Sequence, residues 1–277
     1  MKTLTLEKTA SDVRSHSVDK GFVVFLTSAA LVGMLYVLAQ NNPGFQYLLS
    51  NGLPPILAFA AFAMGTAGLI RNGVNMENRI STIWLGYTLG VLLWLLGEST
   101  WAVYALGYSN PNPFPSLADV FWLAGYVPLL WAMTMQSWPF REFFSSRKML
   151  TVMSTTIVLA GILLAALIPP TYASGVGQDL VSTVLSLAYP LLDVALLVVA
   201  LPVMFLFGRG TFWRPFLFVT VGLILSFVAD ILFSWATLNG VYWNGGYFEL
   251  AFHWSYLALA YGFYLRFRSG TGAAMLG

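Results

Sequence analysis

The chain has 277 residues, of which 58% are hydrophobic and 9% charged, with a formal net charge of +2. A soluble domain carries about 25% charged residues; the charges here are too few to cover a water-facing surface, so most of that surface must face lipid. The small positive balance excludes an electrostatic nucleic-acid binder, and the absence of cysteine removes disulfides, thiolate metal sites and cysteine nucleophiles.

Eight stretches are apolar over about the 20 residues that a crossing helix needs: 21–40, 52–69, 80–106, 117–138, 149–167, 180–207, 212–237 and 246–267. Lipid imposes helix on each of them, because an open strand edge leaves backbone groups without partners. The fold class expected is an all-α integral membrane protein, a bundle of about eight transmembrane helices with both termini on the cytoplasmic side. The chain divides into a cytoplasmic N-terminal segment (1–20), the transmembrane domain (21–268) and a short cytoplasmic tail (269–277). The charged leader is long for a signal peptide, and with Met1 at its head it is read as uncleaved.

The thirteen Lys and Arg residues set the orientation. Lys2, Lys8, Arg14 and Lys20 precede the first span; Arg71 and Arg79, then Arg141, Arg147 and Lys148, then Arg209 and Arg214, occupy alternate connections; Arg266 and Arg268 close the last span. The other connections (41–51, 107–116, 170–179, 239–245) contain none. Cytoplasmic loops carry the basic excess, so eight spans put every basic residue on one side, and a missing span would break the alternation. The chain is thereby placed in the cell (plasma or inner) membrane, with the lipid bilayer as its first partner. The uncharged connections, Asn41-Asn42-Pro43, Ser109-Asn110-Pro111-Asn112-Pro113 and Asn244-Gly245-Gly246, read as tight hairpin closures.

The acids are distributed differently. Glu7, Asp12, Asp19, Glu77 and Glu142 lie on the basic side, and Asp179 lies near an outer loop. Glu98, Asp119, Asp193, Asp230 and Glu249 fall within spans, in the outer half or near the middle, where no Lys or Arg accompanies them. An ionised carboxylate at the bilayer centre costs roughly 2.5–3.5 kcal/mol even on lenient scales, so these groups are expected to face the interior, pair with donors, bind a cation or hold a proton. Helical spacing puts Glu249, His253 and Tyr256 on one face, Asp119, Trp122 and Tyr126 on another, and Ser226, Asp230 and Ser234 in a polar stripe. Trp94 and Trp101 flank Glu98. Tyr189 stands one turn before Asp193, beside Pro190, which frees a backbone carbonyl. A simpler reading of Asp119 and Glu249 is as first-turn acids favoured by the helix dipole, with Ser116 as N-cap. There is also an internal echo. Glu98, Asp119 and Tyr126 in the third and fourth spans match Asp230, Glu249 and Tyr256 in the seventh and eighth, which suggests a repeated helical hairpin.

No Lys lies inside a span, which excludes a retinal Schiff base, and Gly175-Val176-Gly177 is followed by no Gly-Lys-Ser, so no phosphate loop is present. No cofactor is expected. One His beside carboxylates falls short of the several nitrogen ligands common in catalytic zinc sites.

Two stretches carry a family resemblance. Pro115-Ser116-Leu117-Ala118-Asp119-Val120-Phe121-Trp122-Leu123-Ala124-Gly125-Tyr126, preceded by Glu98, is one; Ala188-Tyr189-Pro190-Leu191-Leu192-Asp193, followed by Asp230, Tyr242, Gly246, Trp254 and Tyr256, is the other. Together they resemble the multi-pass membrane regions at the N-termini of bacterial diguanylate cyclase and phosphodiesterase (GGDEF and EAL) proteins, from about residue 94 to 266. The resemblance implies a sensory role and an outward-facing pocket at the matching acids. Glu249 stands where that pattern has Asp. No cyclase, phosphodiesterase or kinase domain follows the last span, so a sensor of this kind would signal through a cytoplasmic partner, through another copy of itself, or from within a longer chain. The expected function is a membrane-embedded sensory, ligand-binding module. Its acidic pocket is lined by Glu98, Asp119, Tyr126, Tyr189, Asp193, Asp230, Glu249, His253 and Tyr256 and takes a cation or small amine. The alternatives are a small-molecule, ion or proton transporter, and an intramembrane lipid hydrolase, which Ala229-Asp230-Ile231-Leu232 resembles in the lysoplasmalogenase-like proteins.

Overall fold

The computed structural model describes residues 19–108, 114–139, 142, 146–175, 180–206 and 214–269. Several residues of the sequence argument lie outside them: Lys2, Glu7, Lys8, Asp12, Arg14, Arg141, Asp179, Arg209, the turn at 109–113, Val176 and Gly177, and the tail beyond Ser269. The described residues form eight long helices: α1 (Lys20–Ala39), α2 (Pro43–Asn72), α3 (Arg79–Ala102), α4 (Leu117–Ser137), α5 (Arg147–Gly175), α6 (Leu180–Leu206), α7 (Arg214–Leu238) and α8 (Leu250–Ser269). A π turn (Val103–Gly107) extends α3, and a 3-10 turn (Tyr247–Glu249) leads into α8.

The protein is an all-α, multi-pass membrane bundle. Seven of the helices, α1 to α7, are long and apolar enough to cross a membrane. The eighth was expected to be equally apolar and is not, because its surroundings differ. α8 packs against α1, α2 and α7 and buries His253, Ser255, Tyr256, Tyr261 and Gly262, so little of it needs to suit lipid. α1 and α5 are at the other extreme, with most of their surface turned outward. Helix direction alternates as expected. Arg71, Arg79, Arg147, Lys148, Arg214 and Arg266 all fall at helix ends on one side, here termed the basic end.

Two helices overrun their expected limits. α2 starts at Pro43 rather than near residue 52, because Asn42 accepts from the Phe45 N–H at 3.0 Å and caps the helix, with Pro43 in its first turn. α5 continues through Pro169 and Pro170, where the sequence reading ended its span. Both prolines are exposed, near the end of α5 away from its basic residues.

The echo between hairpins is a structural repeat. α3 packs along α4, and α7 along α8. Gly90 lies against Leu129, and Gly222 lies against Leu259. These pairs sit at matching distances from Glu98 and Tyr126 in one hairpin and from Asp230 and Tyr256 in the other. The repeat takes in the preceding helix. Pro55-Ile56-Leu57-Ala58 of α2 matches Pro190-Leu191-Leu192-Asp193 of α6. Buried Ala58, Ala61 and Gly65 correspond to buried Asp193, Leu196 and Ala200. α2 rests on its own α3 and on α8 of the other half, while α6 rests on its own α7 and on α4 of the other half. The reciprocal contacts relate α2–α4 to α6–α8, each trio lending one helix face to the other; α1, mainly on α8, and α5, on α6, pack differently but complete the two halves in sequence. At their junction, Tyr87, Val91, Leu129, Leu223 and Leu259 form the fully buried middle of the core.

Candidate functional site

The acids expected to share one pocket separate into two clusters. The first lies between the halves. α3 brings Glu98, whose Oε1 accepts the Tyr256 hydroxyl of α8 at 2.8 Å, and the Trp122 indole of α4 also reaches this carboxyl. α6 brings Asp193, which accepts the Tyr126 hydroxyl of α4. α7 brings Asp230, within hydrogen-bond reach of Asp193 and close enough to Glu98 to repel it. Trp94 closes the cluster, edge to face with Tyr126 at 5.9 Å and with Tyr256 at 6.4 Å between ring centres. Asp193 is buried, while Glu98 and Asp230 are partly exposed.

The repeat governs who meets whom. Tyr126 of the first half bonds an acid of the second, and Tyr256 of the second bonds the acid of the first. Asp119 borders this cluster and plays a different part. Its Oδ2 accepts the Ser116 N–H at 2.7 Å and the Ser116 hydroxyl at 2.9 Å, and its Oδ1 accepts the Tyr189 hydroxyl at 2.8 Å. It is therefore the helix-start acid of the simpler reading, and it also ties α4 to α6.

The second cluster centres on Glu249, among α1, α2 and α8. Oε1 accepts from Ser50 at 2.7 Å and Tyr242 at 2.7 Å; Oε2 accepts from Tyr36 at 2.9 Å and the Gly245 N–H at 3.2 Å. His253 Nδ1 lies 2.8 Å from the Glu249 carbonyl oxygen, so that nitrogen carries a proton; Nε2 lies 3.3 Å from the Tyr36 hydroxyl, whose single proton goes to Glu249. The expected face of Glu249, His253 and Tyr256 is thus divided. Glu249 sits in a 3-10 turn, which changes its angle to the helix that follows, and Tyr256 turns to Glu98 instead. Tyr242, outside the spans, has its hydroxyl pushed to a higher pKa by burial and by the neighbouring Glu249 charge.

Sequence reasoning did not single out Tyr36 or Ser50. Tyr36, the one tyrosine of α1, is a signal in retrospect, being a polar tip on an otherwise lipid-facing helix. Among the described residues no group of three or more His, Asp or Glu is arranged to hold a metal ion. Comparison with known protein families, curated proteins and solved structures finds no match for this chain.

Proposed function

We propose that the protein is a membrane-embedded ligand-binding module with a sensory role, which takes a proton or a small organic cation into the carboxyl cluster between its two halves. The observation that carries this reading is the convergence of Glu98, Asp193 and Asp230 from three helices, with tyrosine hydroxyls and no Lys or Arg as their hydrogen-bond partners among the described residues. Carboxyls held together in this way repel when ionised, and a cation relieves the repulsion. The Trp94, Tyr126 and Tyr256 rings around them add faces suited to an ammonium group. Because the cluster joins the halves, occupancy alters how α3 and α8 meet α6 and α7, and so alters the surface at the basic end. That surface would be read by a cytoplasmic signalling partner or by a second copy of the chain.

The test is thermal unfolding of purified protein in detergent, from about pH 5 to pH 8, with metal ions, amines and lipids, on wild type, Glu98→Gln and Asp230→Asn. A ligand at about 100 times its Kd should stabilise wild type by roughly 2.7 kcal/mol. Both variants are expected to lose that shift while unfolding no earlier than wild type without ligand, since each removes a source of repulsion. Amides that unfold much earlier, with no ligand response in wild type, would reduce the acids to structural glue.

One observation favours a second reading. Parallel repeats with polar groups at their interface also build transporters. The middle layer of Tyr87, Val91, Leu129, Leu223 and Leu259 is closed in this structure, so transport would need the halves to rock. Uptake of labelled amines into proteoliposomes that disappears with Asp193→Asn would select transport, and flat uptake across the panel would remove it. A lipid hydrolase has less support, because His253 is engaged by Tyr36 and the Glu249 backbone; lipid turnover abolished by Asp230→Asn would revive it.

A further inference from the structure

The hydrogen bonds around Glu249 and His253 do not balance with the protons of an ionised carboxylate and a neutral imidazole. His253 is 1% exposed, so bulk water does not complete its bonds. Nδ1 faces the Glu249 carbonyl oxygen at 2.8 Å, an acceptor, and needs a proton there. Nε2 faces the Tyr36 hydroxyl oxygen at 3.3 Å. The one proton on that oxygen is directed to Glu249 Oε2 at 2.9 Å. A neutral ring with its proton at Nδ1 therefore sets the lone pair of Nε2 against an oxygen lone pair. The opposite tautomer moves the same conflict to Nδ1. A buried acceptor left in this way destabilises the fold.

One additional proton satisfies every group. On Nε2 it is donated to the Tyr36 oxygen, which still donates to an ionised Glu249, and imidazolium and carboxylate balance. It can also be handed on. The Nε2–H bond then breaks as a bond forms to the Tyr36 oxygen, the hydroxyl's own proton passes to Glu249 Oε2, and both ends become neutral. The two arrangements hold the same atoms and neither carries a net charge. Without the proton the cluster is a buried carboxylate with no cation to balance it. Its donors are Tyr36 from α1, Ser50 from α2, and Tyr242 and the Gly245 N–H from the turn before α8. Tyr36, Tyr242 and His253 are the titratable groups that meet it, and among the described residues no Lys or Arg pairs with it. A buried charge without compensation is strongly unfavourable.

We propose that Glu249, Tyr36 and His253 form a binding site for one proton, taken up from the side of the membrane opposite the basic end. Tyr242 provides the entry. It is half-buried in the turn before α8, and its hydroxyl donates to Glu249 Oε1 at 2.7 Å. Ser50 joins the same oxygen to the Asn244 side chain at 3.2 Å. The site ties α1 and α2 to α8, so its proton content sets how firmly α1 is held. It is separate from the carboxyls between the halves and does not depend on what they take.

The experiment is nitrogen NMR of the full-length protein labelled at histidine, at about pH 7, with infrared detection of protonated carboxyl groups. The chain has two histidines, and His16→Gln leaves the signals of His253 alone. The expected result is a ring protonated at both nitrogens, or a ring protonated at Nδ1 together with a protonated carboxyl that disappears in Glu249→Gln. Either places the additional proton in the chain of three groups. Tyr36→Phe removes the link and should release the proton at least about one pH unit lower, a tenfold weaker binding. A ring carrying a single proton, with no protonated carboxyl at Glu249, would overturn the proposal, and protein that retains Tyr36 suffices for that reading if Tyr36→Phe does not fold. A Tyr36→Phe protein that keeps the proton to the same pH as wild type would equally overturn it, because the hydroxyl is what joins the two ends.

Discussion

Glu249→Leu is expected to destabilise the protein by about 2–5 kcal/mol, since more than one buried donor loses its acceptor at about 1–3 kcal/mol each. Leucine comes close in side-chain volume but strands Tyr242 and the Gly245 N–H, and leaves Tyr36 and Ser50 only longer contacts, to His253 Nε2 at 3.3 Å and Asn244 Oδ1 at 3.2 Å. Glu249→Gln separates charge from hydrogen bonding. Its amide nitrogen can take the Oε1 position, where the Ser50 and Tyr242 hydroxyls can rotate to accept from it, while its oxygen keeps the Gly245 N–H, which can only donate. The glutamine variant should therefore lose about 1–2 kcal/mol. Denaturant or thermal unfolding of the three proteins in one detergent reads the series. A leucine variant within about 1 kcal/mol of wild type would mean that the cage adds nothing to the fold, and that α1 is held by its apolar contacts alone.

Gly262→Ala carries the second large effect. Alanine in place of a helical glycine ordinarily gains about 0.5–1 kcal/mol. At Gly262 a Cβ would lie 2.9 Å from the Pro215 carbonyl oxygen and 3.0 Å from the Val219 nitrogen. Both are backbone atoms of α7, so relief requires the helices to separate. Overpacking of this kind costs about 1–3 kcal/mol, and the clash outweighs the propensity gain. Gly161, in α5, provides the control, because a Cβ there meets nothing within 4 Å; Gly161→Ala should leave stability unchanged or raise it by about 0.5–1 kcal/mol. If the two variants melt together, α7 and α8 are not in the close contact described.

Much of the architecture was readable because the bilayer imposes so few solutions. The spacing of apolar runs and the alternation of Lys and Arg were enough to set helix number and direction. Proline misled at both places where the expected limits were wrong: Pro43 is in the first turn of α2, and Pro169-Pro170 lie within α5. A span judged by apolarity also cannot anticipate α8, whose neighbours rather than lipid cover its hydroxyls and His253. The acids were recognisable as interior groups from the cost of burying charge, and their arrangement in a repeat was visible as an echo. Their partners were not. Tyr36 meets Glu249 across 213 positions and Tyr256 meets Glu98 across 158, and helical spacing says nothing about side chains on different helices. Within one segment the spacing argument failed only at Glu249, where the 3-10 turn replaces the assumed helical angle.

The placement of α8 bears on how the bundle is made. α1 and α2 both pack on α8, the last of the eight helices in chain order. Asp19, at the start of α1, is bonded by Tyr261 at 3.0 Å and Arg268 at 3.1 Å, both on α8. Until the ribosome has finished α8, the first two helices must wait in the bilayer with lipid against the faces that will later hold Glu249 and His253. Ser50 and Tyr36 then have no carboxylate to meet, and the junction between the halves stays open on that side. The arrival of one comparatively polar helix closes the first two helices onto the eighth, so that this side of the bundle is assembled in one late step rather than helix by helix.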